Sequence, residues 1–231
     1  MLKRAAALSI SLALIFSYAT NANAAERYIS VSATGSVKVK PDTVRINATT
    51  SSTGASSRIA LNQTATASAQ LRSTLTSNGI SKSYIKSNSI SVYPEYNYTQ
   101  EKGSVLVGYK ASQNFEIIVR NAANAGNLVD LIVGQVGDAL SIDSVTPFIY
   151  DPTAATASAR ADAVKRARAK ANSYAKLLKV SLGKIIYLEE NGGATPSPVM
   201  IATAKSDAGA TVVDLGTQDV IVSVVSRWAI L

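Results

Sequence analysis

The stretch Asp151 to Gly183, DPTAATASARADAVKRARAKANSYAKLLKVSLG, constrains the fold more than any other part of the chain. It predicts one long helix. Asp151 stands where a carboxylate can accept the free N–H groups of a first turn. Pro152, at the first helical position, sacrifices no hydrogen bond there. Gly183 lies just past the expected end, where a left-handed residue is common. Ala163, Ala167, Ala171, Tyr174 and Leu178 recur at three- and four-residue spacing and define an inward stripe. The stripe is mostly alanine, so its covering layer can come close, and a β-sheet is the expected cover. Lys165, Arg168, Lys176 and Lys179 fall on another face.

The remaining sequence supplies strands for that sheet. Ile29, Val31 and Ala33 alternate with polar residues, as do Val37 and Val39, with Gly35 read as a turn between them. Pro41-Asp42 marks the next turn, and Val44, Ile46 and Ala48 alternate again. From Ser56 to Asn78 the period becomes helical, with Ile59, Gln63, Ala67, Leu71 and Leu75 on one side and Gly79 as the C-terminal cap. Its many Ser and Thr residues are weak helix formers, so tertiary packing must hold it. Residues 87–98 and 105–120 read as two strands of a hairpin, 122–135 as a short helix broken by Gly137, and 141–150 as a strand. Strands at 184–190 and 220–228 close the chain. Strands and helices do not alternate strictly, which predicts an α+β fold. The expected organisation is a discontinuous sheet-plus-two-helix domain, 25–84 plus 151–231, whose segments share one sheet. It encloses a smaller strand–strand–helix–strand domain, 85–150.

Residues 1–24 read as a secretory signal peptide: Lys3 and Arg4, an apolar run from Ala5 to about Tyr18, then Ala22-Asn23-Ala24 at the cleavage site. The apolar run is too short for a bilayer span. The exported chain then starts at Ala25 and holds no other segment of spanning length. The net charge of +8 is concentrated: segment 151–180 alone holds seven bases and two acids. Such a face is either solvated or a site for a polyanion, namely nucleic acid, anionic envelope lipid or polysaccharide. Export argues against nucleic acid.

The chain has no cysteine and no histidine. An exported chain without cysteine is held by its core rather than by disulfides. The double absence removes Ser–His and Cys–His catalysis, histidine zinc sites and imidazole acid–base chemistry. Glu189-Glu190 is the only adjacent acid pair, and a metal would need more oxygen ligands. No catalytic, cofactor-binding or metal-binding residue is therefore assigned.

Two stretches offer interface material instead. Tyr93, Tyr96 and Tyr98 cluster on the central hairpin, where they either cover the sheet or present a contact surface. Val199, Met200 and Ile201 form an apolar run in the long loop from Asn191 to about Asp214, which is expected either to dock onto a second copy or to act as a plain connector.

Several short motifs, in order, resemble the SIMPL-domain proteins. They are Thr34-Gly35 with Val39-Lys40-Pro41-Asp42, then Gly79-Ile80, Tyr93-Pro94-Glu95-Tyr96 and Gly108-Tyr109-Lys110-Ala111. The alanine- and lysine-rich run from Ala159 to Ala175 and Leu182-Gly183-Lys184 complete the series. The resemblance covers nearly all of the chain after the leader. It implies the same enclosed-domain fold and a periplasmic or envelope location, with association to the outer membrane as one option. It further implies links to oxidative-stress tolerance and to surface antigens, and, for some members, large homo-oligomers. No catalytic residues are established for such proteins. With no cysteine, and only Met1 and Met200 as thioethers, any stress role is expected to be indirect.

The functional expectation is thus a non-enzymatic envelope protein acting through self-assembly or partner binding. The alternatives are a binder of anionic envelope polymer or lipid through helix 151–180, and a carboxylate-based glycan hydrolase. The expected partners are further copies of the chain, an envelope protein or an anionic polymer.

Overall fold

The computed structural model describes residues 27–101, 103–191, 197–199 and 211–231. The signal-peptide reading for 1–24 lies outside them. The described chain is α+β, with two antiparallel sheets and helices packed on them. The first sheet has the order β1 (Tyr28–Val39), β8 (Thr217–Ile230), β6 (Leu182–Asn191), and the three-residue β7 (Ser197–Val199) also pairs with β8. The second has the order β3 (Ile85–Thr99), β4 (Gly103–Val119), β2 (Thr43–Gly54), β5 (Leu140–Phe148). Helix α3 (Thr153–Leu178) covers the first sheet, and α1 (Ser57–Ser77) and α2 (Ala125–Val136) cover the second.

The helix expected to organise the chain lies on a sheet, and its buried stripe is a strict four-residue repeat: Ala159, Ala163, Ala167, Ala171 and Ala175. These meet Ile29, Val31, Val220, Val222, Val224 and Trp228. Tyr174 and Leu178 are not part of the stripe and are exposed. A four-residue repeat gains about 40° of rotation per step, so the stripe winds around the helix and leaves residue 178 behind. Asp151 does accept the Thr153 N–H, at 3.0 Å. The far end differs from expectation. Lys179, not Gly183, takes the left-handed conformation (φ 57°), and the Val180 N–H closes onto the Ala175 carbonyl at 3.0 Å. Gly183 belongs to β6.

Gly35 is not a turn. β1 runs through it without a break, and a methyl placed there would sit 2.1 Å from the Ala159 carbonyl oxygen and 2.3 Å from the Ala163 nitrogen. Glycine on the strand and alanine on the helix therefore jointly set how closely the two layers approach.

The expected common sheet of the two flanking segments contains β1, β6, β7 and β8 but not β2. β2 pairs with β4 and β5, with Val44 opposite Val119 and opposite Pro147. Its inward residues Val44, Ile46 and Ala48 join Phe115, Ile117, Leu71, Leu75, Leu128 and Ile132 in the second core. Alternation alone says that a strand has a buried face, not which sheet buries it. In α1 the buried set is Ala60, Thr64, Ala67, Ser68, Leu71 and Leu75, while Ile59 is exposed. The buried hydroxyls are satisfied: Thr50 and Ser68 bond at 2.8 Å, and Thr64 donates to the Ala111 carbonyl at 3.2 Å.

Asp42 ties the crossings between the sheets. Its carboxylate accepts the Tyr150 N–H at 3.0 Å and the Thr43 hydroxyl at 2.9 Å, and its carbonyl accepts the Ala122 N–H at 3.2 Å. Burial would raise its pKa, but the Tyr150 N–H, the Thr43 hydroxyl, its own backbone and nearby Arg120 together hold it below the ordinary carboxylate value.

Candidate interaction surfaces

The β3–β4 hairpin outgrows its sheet. β2 stops at Gly54, opposite Tyr109, whereas β3 and β4 continue to pair as far as Thr99 and Gly103. Residues 95–99 and 103–108 therefore form a two-stranded arm with no third strand beside it among the described residues. The register shifts between Glu95 and Tyr96, opposite Gly108, where the third strand ends. Gly108 has φ +156°, and a methyl there would lie 2.9 Å from the Gly54 carbonyl oxygen. Such an irregularity bends and twists the ribbon away from its sheet.

The arm carries exposed apolar side chains on both faces. Tyr96 stands opposite Leu106 on one face, and Val105, opposite Asn97, lies on the other. Tyr98 is 76% exposed, and Tyr96, Leu106 and Val107 are each about half exposed. Nearer the sheet, Ile90 and Tyr93 are exposed as well. The three tyrosines singled out in the sequence thus lie along the arm and its base, in solvent. The aliphatic residues beside them were not singled out. The signal was present in Val105-Leu106-Val107, an unbroken apolar run that no one-sided strand needs.

The second surface is the outward side of α3. Lys165, Arg168, Lys176 and Lys179 are all exposed, and none is in an ion pair among the described residues. Other bases on the helix are engaged. Arg160 grips Glu190 with two bonds of 2.6 and 3.0 Å, Arg166 meets Asp162 at 2.7 Å, and the Lys170 ammonium donates to the Ser32 carbonyl at 3.2 Å. A shallow groove of about 840 Å³ follows this side, lined by Ala157, Ala161, Val164, Lys165, Arg168 and their neighbours. A smaller hollow of about 470 Å³ lies between Arg72, Ser73, Lys82 and Ile85. Neither is lined by an aspartate or a glutamate. Among the described residues no three acids, histidines or cysteines converge as metal ligands. No described helix is long and apolar enough to cross a membrane.

The arm belongs to the second sheet and the basic face to the helix over the first, so they are separate surfaces. The backbone of Val199 pairs with Thr217, while Met200 and Ile201 lie outside the described residues. One further cluster escaped the sequence reading. On the open side of the first sheet Arg227 lies over both Tyr28 and Tyr187, at 5.1 and 5.0 Å, and the Tyr187 hydroxyl donates to Glu189. Its members come from three strands and only the register unites them.

The family model described as SIMPL, protein of unknown function (DUF541), matches residues 29–228. The chain belongs to the SIMPL family. The match begins in β1 and ends in β8, the two strands that close the first sheet, so it includes both sheets. Among its relatives is the 26 kDa periplasmic immunogenic protein of Brucella melitensis, 27% identical over 182 residues, which are 75% of this chain and 70% of that protein. The protein of the same description from Brucella abortus matches to the same extent. The uncharacterized protein YggE of Edwardsiella ictaluri is 27% identical over 183 residues, 78% of this chain and 75% of its own. None of these descriptions names an enzyme.

Proposed function

We propose that this SIMPL-family chain is a periplasmic protein that catalyses no reaction and acts through protein contact, first of all with further copies of itself. The observation that carries this reading is the arm. A two-stranded ribbon is marginally stable by itself in water. This one exposes tyrosine and leucine on one face and valine on the other, an arrangement that favours a covering partner. Tyrosine is also enriched at the cores of protein interfaces, because it combines apolar area with a polar tip. Periplasmic location rests on the leader-like residues 1–24 and on the description of the Brucella relatives. Any support of oxidative-stress tolerance is indirect, since the exported chain has no thiol and one methionine, Met200.

The test is the solution mass of the chain from Ala25, which contains every described element, beside that of the double variant Tyr96→Ser, Leu106→Ser. Both substitutions fall on one face of the arm, outside both cores. Assembly through the arm requires the native chain to exceed its monomer mass and the variant to fall toward it with its melting temperature unchanged.

A further inference from the structure

The last two turns of α3 invert the usual order of a helix on a sheet. The residues turned inward are alanines, while the large apolar ones are left in solvent: Leu177 is 75% exposed, Leu178 62% and Tyr174 46%. A helix whose only task is to cover a sheet buries its leucines first. Spacings of three and four set Lys170, Tyr174, Leu177 and Leu178 on one stripe. Lys176 stands in the same last turn, and Lys179 is held just past it in its left-handed conformation. Along the chain this end carries charge of one sign: residues 163–188 contain seven bases and no acid. Exposed leucine and tyrosine ringed by lysine is the composition of a surface that settles at a lipid headgroup layer, the apolar side chains entering the acyl boundary and the ammonium groups meeting phosphates.

We propose that the C-terminal end of α3 docks this protein on a bilayer rich in anionic phospholipid. Charge complementarity selects an anionic surface. The exposed leucines select lipid over a soluble polyanion, which offers nothing for them to enter. The proposal concerns a surface separate from the arm and does not depend on assembly.

The experiment is co-sedimentation of the chain from Ala25 with vesicles of phosphatidylglycerol and phosphatidylcholine, and with vesicles of phosphatidylcholine alone. The native chain is expected to sediment with the anionic vesicles only, and less as salt rises, because the attraction is screened. Leu177→Ser with Leu178→Ser, and separately Lys176→Glu with Lys179→Glu, should each lower the partition at least tenfold at an unchanged melting temperature. Absence of sedimentation with anionic vesicles overturns the proposal. So does a leucine variant that partitions like the native chain, which would identify the ligand as a polyanion; binding of soluble polyphosphate unaffected by the leucine changes would show the same. A leucine variant whose solution mass falls would mark the patch as a protein interface, and would equally overturn it.

Discussion

Gly35 and Asp42 act on the fold through single atoms. At Gly35 the backbone of α3 occupies the space a side chain would need, and backbone cannot step aside as a flexible side chain can. Gly35→Ala must push the helix off the sheet and loosen the alanine stripe beside it. Overpacking of this kind costs about 3 kcal/mol, which lowers the melting temperature of a domain this size by roughly 6–12 °C. Thermal unfolding followed by circular dichroism measures the loss, and an unshifted transition would mean the layers are not this close. Asp42 contributes a pH dependence. Its folded pKa is depressed, so its contribution is fully present above the unfolded value near 3.8 and is lost as pH falls through the lower folded value. Asparagine does not titrate. Asp42→Asn should therefore melt below the native chain at neutral pH, and the gap should narrow below pH 3.8. A gap independent of pH would show that the carboxylate charge adds nothing to the clasp.

At the scale of elements, α3 shows what the sequence can and cannot convey. Its existence, its approximate span, the bond from Asp151 to its first N–H and the inward Ala163, Ala167 and Ala171 were legible, because such signals are local, although Pro152 rather than Asp151 stands at the N-cap. The inward roles given to Tyr174 and Leu178 were not correct. Three- and four-residue spacings fit several faces of a helix, and only contact with a close sheet selects the smallest side chains. The hairpin β3–β4 was legible as two strands, but the arm was not, since its freedom comes from β2 ending at Gly54, far away in sequence. The separation of β2 and α1 from β1 was hidden for the same reason: pairing partners are a non-local property. The stripe itself makes a sharp prediction. Ala167→Glu or Ala171→Glu places an unpaired carboxylate in a contact with 0–1% exposure. Several kcal/mol should be lost, a large share of a domain's whole margin. Lys176→Glu, on the exposed side, should leave the melting temperature nearly unchanged. Alanine variants that melt normally would mean the helix faces another way.

At the scale of the molecule, the two sheets are tied at both ends of the chain. Asp42 joins the crossing from β1 to β2 with the approach to α3. The stretch before β8 crosses the second layer: the Asp130 carboxylate accepts the Thr211 N–H at 2.9 Å and also its hydroxyl, and Val213 and Leu215 pack on the second core. The Gln218 side chain then donates to the Pro147 carbonyl at 2.8 Å, joining the start of β8 to the end of β5. A body held this way presents the arm and the basic end of α3 as fixed surfaces rather than trailing segments. Neither hollow described above is lined by a carboxylate, and a ribbon of exposed apolar side chains is built on a strand pair. The proposed mode of action is contact between molecules, and light scattering of the chain from Ala25 measures that contact directly. A mass of several monomers, falling toward one in Tyr96→Ser, Leu106→Ser at unchanged melting temperature, is the predicted result. A native chain that stays monomeric across concentration, or an arm variant whose mass does not change, would contradict it.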